Sequence, residues 1–552
     1  MTFGLAFLLF AQALPAGDWA ARMVDGIHAW LDAAKPVKSG YTLRESLGMR
    51  GSAFDPRPVI VSSSGAPSHP PECYAVLLPD ADEAPETARR LAPPKCVTYI
   101  VDLVNTANRE RVYRMAYQAG RHIIGYEVEK VMTVLDRIGE LPGKLPVEVH
   151  GHGEGAVIAW YAGAVDGRVG SVTVSGYAGP GRETWREPIY RNMFGVLEHA
   201  PRPREVRMVA APAAGPKQTA DPPFEEMVRY TQELLRTSHK RRAERKPERE
   251  ELWRLIGRLP EARPGMPEAQ TEGAVRTRVI YDAPEFTGTA VKIPVDGSVF
   301  AYGILLVPKD LKPGERRPVV IAQHGLEGRP EHLVEPPDEK TARTYKRFAA
   351  ELARRGYVVF APQNPYIFED RFRTIQRKAN PLGLTLFSFV AAQHRAILDW
   401  LKAQPYVRAD RIGFYGLSYG GFTAMRIPAL FDDYAAVICS GNFTEWVWKT
   451  TTLEEKFSYM FTREYEIFEF NLAETFNHAE MAALIFPKPF MVERGHRDGV
   501  GLDEWVAYEY AKVKRLYDEA GFGDRTEIEY FNGVHEIHGV GTYAFLDRWL
   551  KR

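Results

Sequence analysis

The segment Gly416-Leu-Ser-Tyr-Gly-Gly421 follows a short apolar run at 412–415 and opens a stretch, 422–430, that can be helical as far as Pro428. Few folds let a chain turn from strand to helix this sharply. The flanking glycines allow two backbones to approach closely, and the central residue is held in a strained conformation that lifts its hydroxyl clear of the sheet. The turn therefore demands a strand before it, a helix after it and a sheet around both.

The rest of the chain supplies them. In the second half, short apolar runs at 319–322, 357–361, 412–415, 436–439, 490–492 and 528–531 alternate with helix-like stretches such as 345–355, 387–402 and 502–519, after β-rich segments at 276–281 and 299–307. Apolar runs of this length mark strands buried on both faces of a mostly parallel sheet. The first half has the same rhythm, with strands expected at 59–61, 74–78, 97–101, 147–149, 172–174 and 206–209 and a helix-like 112–138 before the fourth. Sliding one half along the other by 265 residues lays Gly151-His-Gly-Glu-Gly155 on Gly416-Leu-Ser-Tyr-Gly420 and Ser175-Gly176 on Ser440-Gly441. Such self-similarity suggests an internal repeat. The expected architecture is two related α/β domains, each a mostly parallel sheet flanked by helices, at 17–220 and 263–552. A charged helical connector at 221–262 joins them, its mixed charge run at 238–250 read as a solvated helix face with no partner.

The 552 residues hold 71 basic and 71 acidic side chains and are 45% apolar and 26% charged. Zero formal net charge speaks against a nucleic-acid binder, and the proportions are globular. An apolar run at 3–10 followed by Ala11-Gln12-Ala13, of small-x-small form, makes 1–16 an expected signal peptide and the protein an expected export to the periplasm or medium. An ordinary buried segment of a cytoplasmic protein is the alternative. The run falls short of the roughly 20 residues that span a bilayer, so no integral membrane segment is expected. Cys73, Cys96 and Cys439 allow at most one disulfide and no four-cysteine zinc site. Cys73 and Cys96 could pair after export, but the simpler expectation leaves both reduced.

Ser418 is the candidate nucleophile, and a serine hydroxyl needs a base whose imidazole is in turn oriented by a carboxylate. The acid belongs on the turn after a later strand, where Phe490-Met-Val-Glu-Arg-Gly-His-Arg-Asp498 supplies Asp498 just past the strand end. Glu493, within the strand, reads as a structural pair. The base lies in Asn532-Gly-Val-His535-Glu-Ile-His538, with His535 favoured on a flexible glycine turn and His538 read as a cap of the following helix. The oxyanion needs two fixed N–H donors. Tyr419, next to the nucleophile, supplies one, and Leu326 in the loop Gln323-His-Gly-Leu-Glu-Gly328 supplies the other.

With these residues in place, the second half, about 270–552, resembles an α/β-hydrolase of the dienelactone hydrolase, acetyl xylan esterase and prolyl oligopeptidase type. His324-Gly325, Gly416-Leu-Ser-Tyr-Gly-Gly421, Asp498 and His535 carry the resemblance. It implies hydrolysis of small-molecule or carbohydrate esters through an acyl-enzyme, as in acetyl xylan esterases or general carboxylesterases, with no cofactor and no metal. The Ser-Tyr-Gly-Gly form is similar to that of oligopeptidases, but those usually carry a β-propeller and the first half shows no four-strand blade repeat. A serine peptidase is thus the alternative, together with a non-catalytic binding or assembly module. Glucuronoyl esterases typically place Arg after the nucleophile, where this chain has Tyr419.

The first half resembles the same fold with its chemistry removed, because Gly153 stands at the elbow and offers no nucleophile. His150 and His152 have no third ligand at useful spacing and read as strand-end residues. Between Phe443 and Phe476 lie ten aromatics where the chain-wide 12% would give about four. This insertion is expected either to cap the site or to form a small core of its own. As a cap it would offer Trp446, Trp448 and Tyr459, with His324 below, as a substrate pocket.

Overall fold

The computed structural model describes residues 12–49, 54, 70–260 and 274–552. The strand expected at 59–61 and the apolar run at 3–10 lie outside them. Fifteen strands are formed among the described residues, in two sheets. In chain order they are β1 (Gln12–Ala13), β2 (Cys73–Leu78), β3 (Cys96–Ile100), β4 (Val147–His152), β5 (Val169–Ser175), β6 (Val206–Met208), β7 (Arg276–Asp282), β8 (Phe286–Asp296), β9 (Val299–Pro308), β10 (Arg317–Gln323), β11 (Val358–Pro362), β12 (Val407–Leu417), β13 (Tyr434–Ser440), β14 (Phe490–Gly495) and β15 (Thr526–Phe531).

The larger sheet runs β1-β7-β8-β9-β11-β10-β12-β13-β14-β15. From β11 to β15 every pairing is parallel. Its central strands are apolar throughout because helices cover both faces: Val320 and Ala322 face one core, Val319 and Ile321 the other, and all four are buried. β10 pairs with β11 on one side and β12 on the other. The chain thus reverses its direction of growth there, which opens a crevice at the carboxyl ends of β10 and β12. β8 was not separately expected. Its Thr-Gly-Thr-Ala-Val-Lys-Ile stretch mixes small and polar residues, yet it fills the antiparallel meander between β7 and β9.

The smaller sheet runs β3-β2-β4-β5-β6 with every pair parallel. Position by position this is the order of β11-β10-β12-β13-β14. Two expectations change here. Cys73 and Cys96 form a disulfide rather than staying reduced. They are the first residues of β2 and β3, partners in the ladder with Cα atoms 4.5 Å apart, and that register brings the thiols together. Residues 17–33, placed with the first half by the expected boundary, pack on the larger sheet, as do residues 12–14 of the expected signal peptide. β1 pairs with β7, and the helix Trp19–Ala33 seats Trp19 against Phe300 and Tyr302 and buries Val24, Ile27 and Leu31 in the same core as β9 and β10.

The helix-like 112–138 breaks in two, Thr106–Gln118 and Ile123–Gly139. The connector is helical, Pro222–Ala243 and Arg249–Ile256, but its charge run is only partly a solvated face. His239, Lys240 and Glu244 are exposed, whereas Arg241 pairs with Glu474 and buried Arg242 donates to the Ala473 carbonyl. Both arginines reach the aromatic-rich insertion. That insertion is neither a free cap nor a core of its own. Its Val447, Met460, Phe468, Phe470 and Ala473 belong to the core of the smaller sheet, with Phe470 against Tyr41, Tyr117 and Phe194.

Candidate active site

Strand β12 ends at Leu417 and the helix Tyr419–Leu430 begins two residues later, so Ser418 carries the whole turn with φ +61° and ψ −120°. That is a region which L-residues occupy at a cost of about 1–3 kcal/mol. It is fixed from both sides, since the Ser418 N–H donates to the Ser440 carbonyl at 2.9 Å and the Ser418 carbonyl accepts from Phe422 N–H at 2.8 Å.

Asp498 and His535 meet beside it. Asp498 lies on the turn after β14, buried, and its Oδ1 is 2.7 Å from His535 Nδ1. The second carboxylate oxygen is 3.2 Å from an Arg494 guanidinium that also holds Asp503. A carboxylate on Nδ1 fixes the imidazole with its Nε2 lone pair free to accept a proton. The ring is adjacent to the elbow: a side chain added at Gly441 would meet His535 Cε1 and Leu417 Cδ1, each at 3.0 Å.

The competing acid and base are engaged elsewhere. Glu493 is buried and accepts hydrogen bonds from Tyr415 Oη, Ser440 Oγ and the backbone N–H groups of His538 and Gly539. Burial raises its pKa, and it braces β12, β13 and β14 to the loop after β15. His538 bonds Glu529 through Nδ1 and stacks on Phe531.

The loop after β10 abuts the elbow, and this is possible because residue 325 has no side chain. A Cβ on Gly325 would lie 3.1 Å from Ser418 Cβ. Gly325 N–H is taken by Tyr345 Oη at 2.9 Å. The N–H groups of Leu326 and Tyr419 have no hydrogen-bond acceptor among the described residues.

His324 and Trp446 do not line a pocket. His324 is fully buried, with Nδ1 at the Gly325 carbonyl and Nε2 accepting from Asn364 N–H, and burial pushes its pKa down to about 3. Trp446 is packed between Phe422 and His478. Both serve the support of the turn, a role their sequence spacing does not reveal. Trp448 and Tyr459 are half-buried. Tyr459 packs on Trp446, with ring centroids 5.5 Å apart.

Four charged residues of this region were not singled out in the sequence. Tyr419 Oη donates to Glu466 Oε1 at 2.8 Å, and Arg373 approaches the other Glu466 oxygen at 3.4 Å. Burial raises the Glu466 pKa to about 7. Lys449 is buried on the helix Trp446–Thr451. Arg114, from the helix Thr106–Gln118, donates to the carbonyls of Tyr459 and Thr462 at 3.1 and 2.6 Å. The sole sequence signal for Lys449 and Glu466 is that they stand as charges inside an aromatic run. Arg114 gave none, being 345 residues from its partner.

The other elbow has the same shape. Gly153 has φ +57° and ψ −121°, and its N–H donates to the Ser175 carbonyl at 3.1 Å, as Ser418 does to Ser440. The site is filled. Asp80, on the loop after β2, accepts from Glu154 N–H and Ala81 N–H, both at 2.9 Å, and a Cβ built on Gly153 runs into its carboxylate. His152 bonds Ser175 Oγ and His150 bonds Glu148.

A sequence model of the prolyl oligopeptidase family matches residues 391–502. The Bacillus subtilis (strain 168) protein YtaP, whose name places it among hydrolases, is 27% identical over 323 residues, 56% of this chain and all of its own. Among solved structures, a glucuronoyl esterase from Solibacter usitatus is 15% identical with a TM-score of 0.41, covering 54% of this chain and 90% of its own. Acetyl xylan esterase 1 from Thermoanaerobacterium sp. JW/SL YS485 is 14% identical with a TM-score of 0.36, covering 55% and 93%.

Proposed function

We propose that the second half of this chain, an α/β-hydrolase fold, is a serine hydrolase that cleaves carboxylic esters through an acyl-enzyme on Ser418. The observation that carries this reading is the Asp498–His535 hydrogen bond beside a serine held at positive φ. In the proposed cycle His535 Nε2 takes the Ser418 proton as Oγ attacks the ester carbonyl. The Leu326 and Tyr419 N–H groups receive the oxyanion, and His535 then protonates the leaving alcohol. Water, deprotonated by the same imidazole, releases the acid and restores Ser418. A fluorophosphonate probe is expected to label the wild type and spare Ser418→Ala, and equal labelling of both would remove the assignment. The family match favours a second reading, a serine peptidase. Turnover of short peptide amides ahead of acetyl, aryl and sugar esters would establish that one instead.

We also infer that the first half is a hydrolase-like domain without a catalytic centre. The matching strand order, the shared turn geometry and the shared N–H to carbonyl bond support a common origin. Gly153 and the Asp80 carboxylate support the loss of chemistry. Export fits the Cys73–Cys96 disulfide, since such bonds persist in oxidising compartments.

A further inference from the structure

Resting on the ester-hydrolase reading of Ser418, we propose that Lys449 forms an anion-recognising subsite of this centre, so that its preferred substrates are esters bearing a carboxylate. Lys449 is 4% exposed, on the helix that follows the loop after β13. Among the described residues no carboxylate lies within ion-pair distance of its ammonium, and no hydrogen-bond acceptor meets it. The other cations of the region are committed. Arg494 holds Asp498 and Asp503, Arg373 approaches Glu466, and Arg426 is joined to Glu469.

What surrounds the ammonium is aromatic: the Tyr459 ring at 5.0 Å and the Trp446 ring at 5.8 Å. Cation–π contacts of this length offset part of the cost of burying a charge and leave its hydrogen-bonding capacity unused. Burial, with the nearby Arg494 charge, holds the Lys449 pKa down to about 8 although Asp498 and Glu464 draw it upward. The amine is still mostly protonated at neutral pH. Its place is what makes it functional: its helix follows the loop after β13 whose Gly441 abuts His535, and Trp446 at the start of that helix packs on Phe422, one turn beyond Ser418. An incoming carboxylate would give the ammonium the charge-assisted bond it lacks, and an uncharged ester would leave it unpaired.

Matched substrates test this. We compare 4-acetoxybenzoate with 4-acetoxybenzamide, which varies charge on the alcohol side, and mono-4-nitrophenyl adipate with 4-nitrophenyl hexanoate, which varies it on the acyl side. The wild type is expected to prefer the charged member of at least one pair in kcat/KM. Lys449→Met is expected to lower that preference about 10- to 100-fold and Lys449→Arg to retain much of it. An equal loss on charged and neutral esters, or an unchanged ratio, would overturn the proposal. Fluorophosphonate labelling and the thermal midpoint of Lys449→Met separate a misfolded variant from a selective one. If no ester is turned over, the reading of Ser418 falls by itself, and calorimetry on Ser418→Ala then decides for Lys449. Adipate should bind where adipamide does not, and binding should vanish in Ser418→Ala/Lys449→Met. Equal binding by both proteins, or by neither, would refute the subsite.

Discussion

The two elbows differ in what stands at and around the turn rather than in the turn itself. Ser418 and Gly153 have φ of +61° and +57°, each follows a parallel strand, and each donates its N–H to the carbonyl of a serine at the end of the next strand. Around Ser418 the neighbouring N–H is unoccupied and an imidazole–carboxylate pair is at hand. Around Gly153 the equivalent N–H, that of Glu154, already holds an anion, the carboxylate of Asp80. An oxyanion hole requires donors that wait for a charge which develops only during reaction. The first sheet has the donor, and its own side chain has ended the wait.

The largest effect expected from breaking this contrast is Ser418→Gly, which makes the second elbow a copy of the first. Activity should fall by about 10⁴-fold or more, as should follow for Asp498→Asn and His535→Ala, measured as kcat/KM on an activated ester. Glu493→Gln should behave differently, lowering the thermal midpoint through its lost brace while keeping turnover within about tenfold. A Glu493→Gln enzyme as inactive as Asp498→Asn yet equally stable would show that the acid has been misassigned.

The reverse exchange is next in size. Gly153→Ser in a Ser418→Ala background should recover no hydrolysis and should also destabilise the fold by about 1–3 kcal/mol, because the new side chain is strained and collides with Asp80. Asp80→Ala in the same chain should return part of that loss. Denaturant unfolding measures it, and a fully stable Gly153→Ser would mean that Asp80 does not fill the turn.

Much of this was legible in the sequence for a physical reason: strand, elbow and strand-end acid are local patterns. All thirteen of the expected strands that fall on described residues form, the unexpected ones being β1 and β8, whose short or mixed composition gives no period to read. Ser418, Asp498 and His535 were placed by the ends of strands, which sequence marks well. His324 and Trp446 were misread as pocket residues because residue type does not report burial. Arg114 and Asp80 were silent because each acquires its meaning from a partner far along the chain, and Lys449 and Glu466 showed only as charges inside an aromatic run. The Cys73–Cys96 disulfide stood second to two reduced thiols because pairing depends on strand register, and register is set by tertiary contacts.

A smaller contrast lies one residue beyond each elbow. Glu154 is met by two guanidinium groups, Arg191 at 2.7 Å and Arg109 at 3.8 Å. Tyr419 rests instead on Glu466, whose one guanidinium approach is 3.4 Å and whose pKa burial raises to about 7. Folding therefore favours the protonated form of Glu466. The stability this contributes is complete below the ordinary glutamate value and is lost as pH rises from there through about 7. Wild-type stability should decline by about 1–3 kcal/mol relative to Glu466→Gln across that window. Parallel unfolding curves for the two proteins at pH 5 and pH 8 would show that Glu466 does not titrate in this way.

The smallest effect probes what the smaller sheet does for the larger one. Its core receives Val447, Met460, Phe468 and Phe470 from the insertion between β13 and β14, and Asn471 N–H donates to the Tyr117 carbonyl at 2.8 Å. Gln118 reaches Thr450, and Arg114 binds the carbonyls of Tyr459 and Thr462. The first sheet thus grips the segment that bears Tyr459 and Lys449, and a cationic donor on two carbonyls fixes their backbone. Arg114→Met removes that grip while leaving the apolar packing. It should raise KM about tenfold with a smaller change in kcat, since loosened pocket walls weaken substrate positioning more than they disturb the Asp498–His535 pair. The thermal midpoint should shift only slightly, because the hydrophobic seam remains. A large stability loss with unchanged KM would assign Arg114 to the seam alone and would make the first half a scaffold rather than a wall of the site.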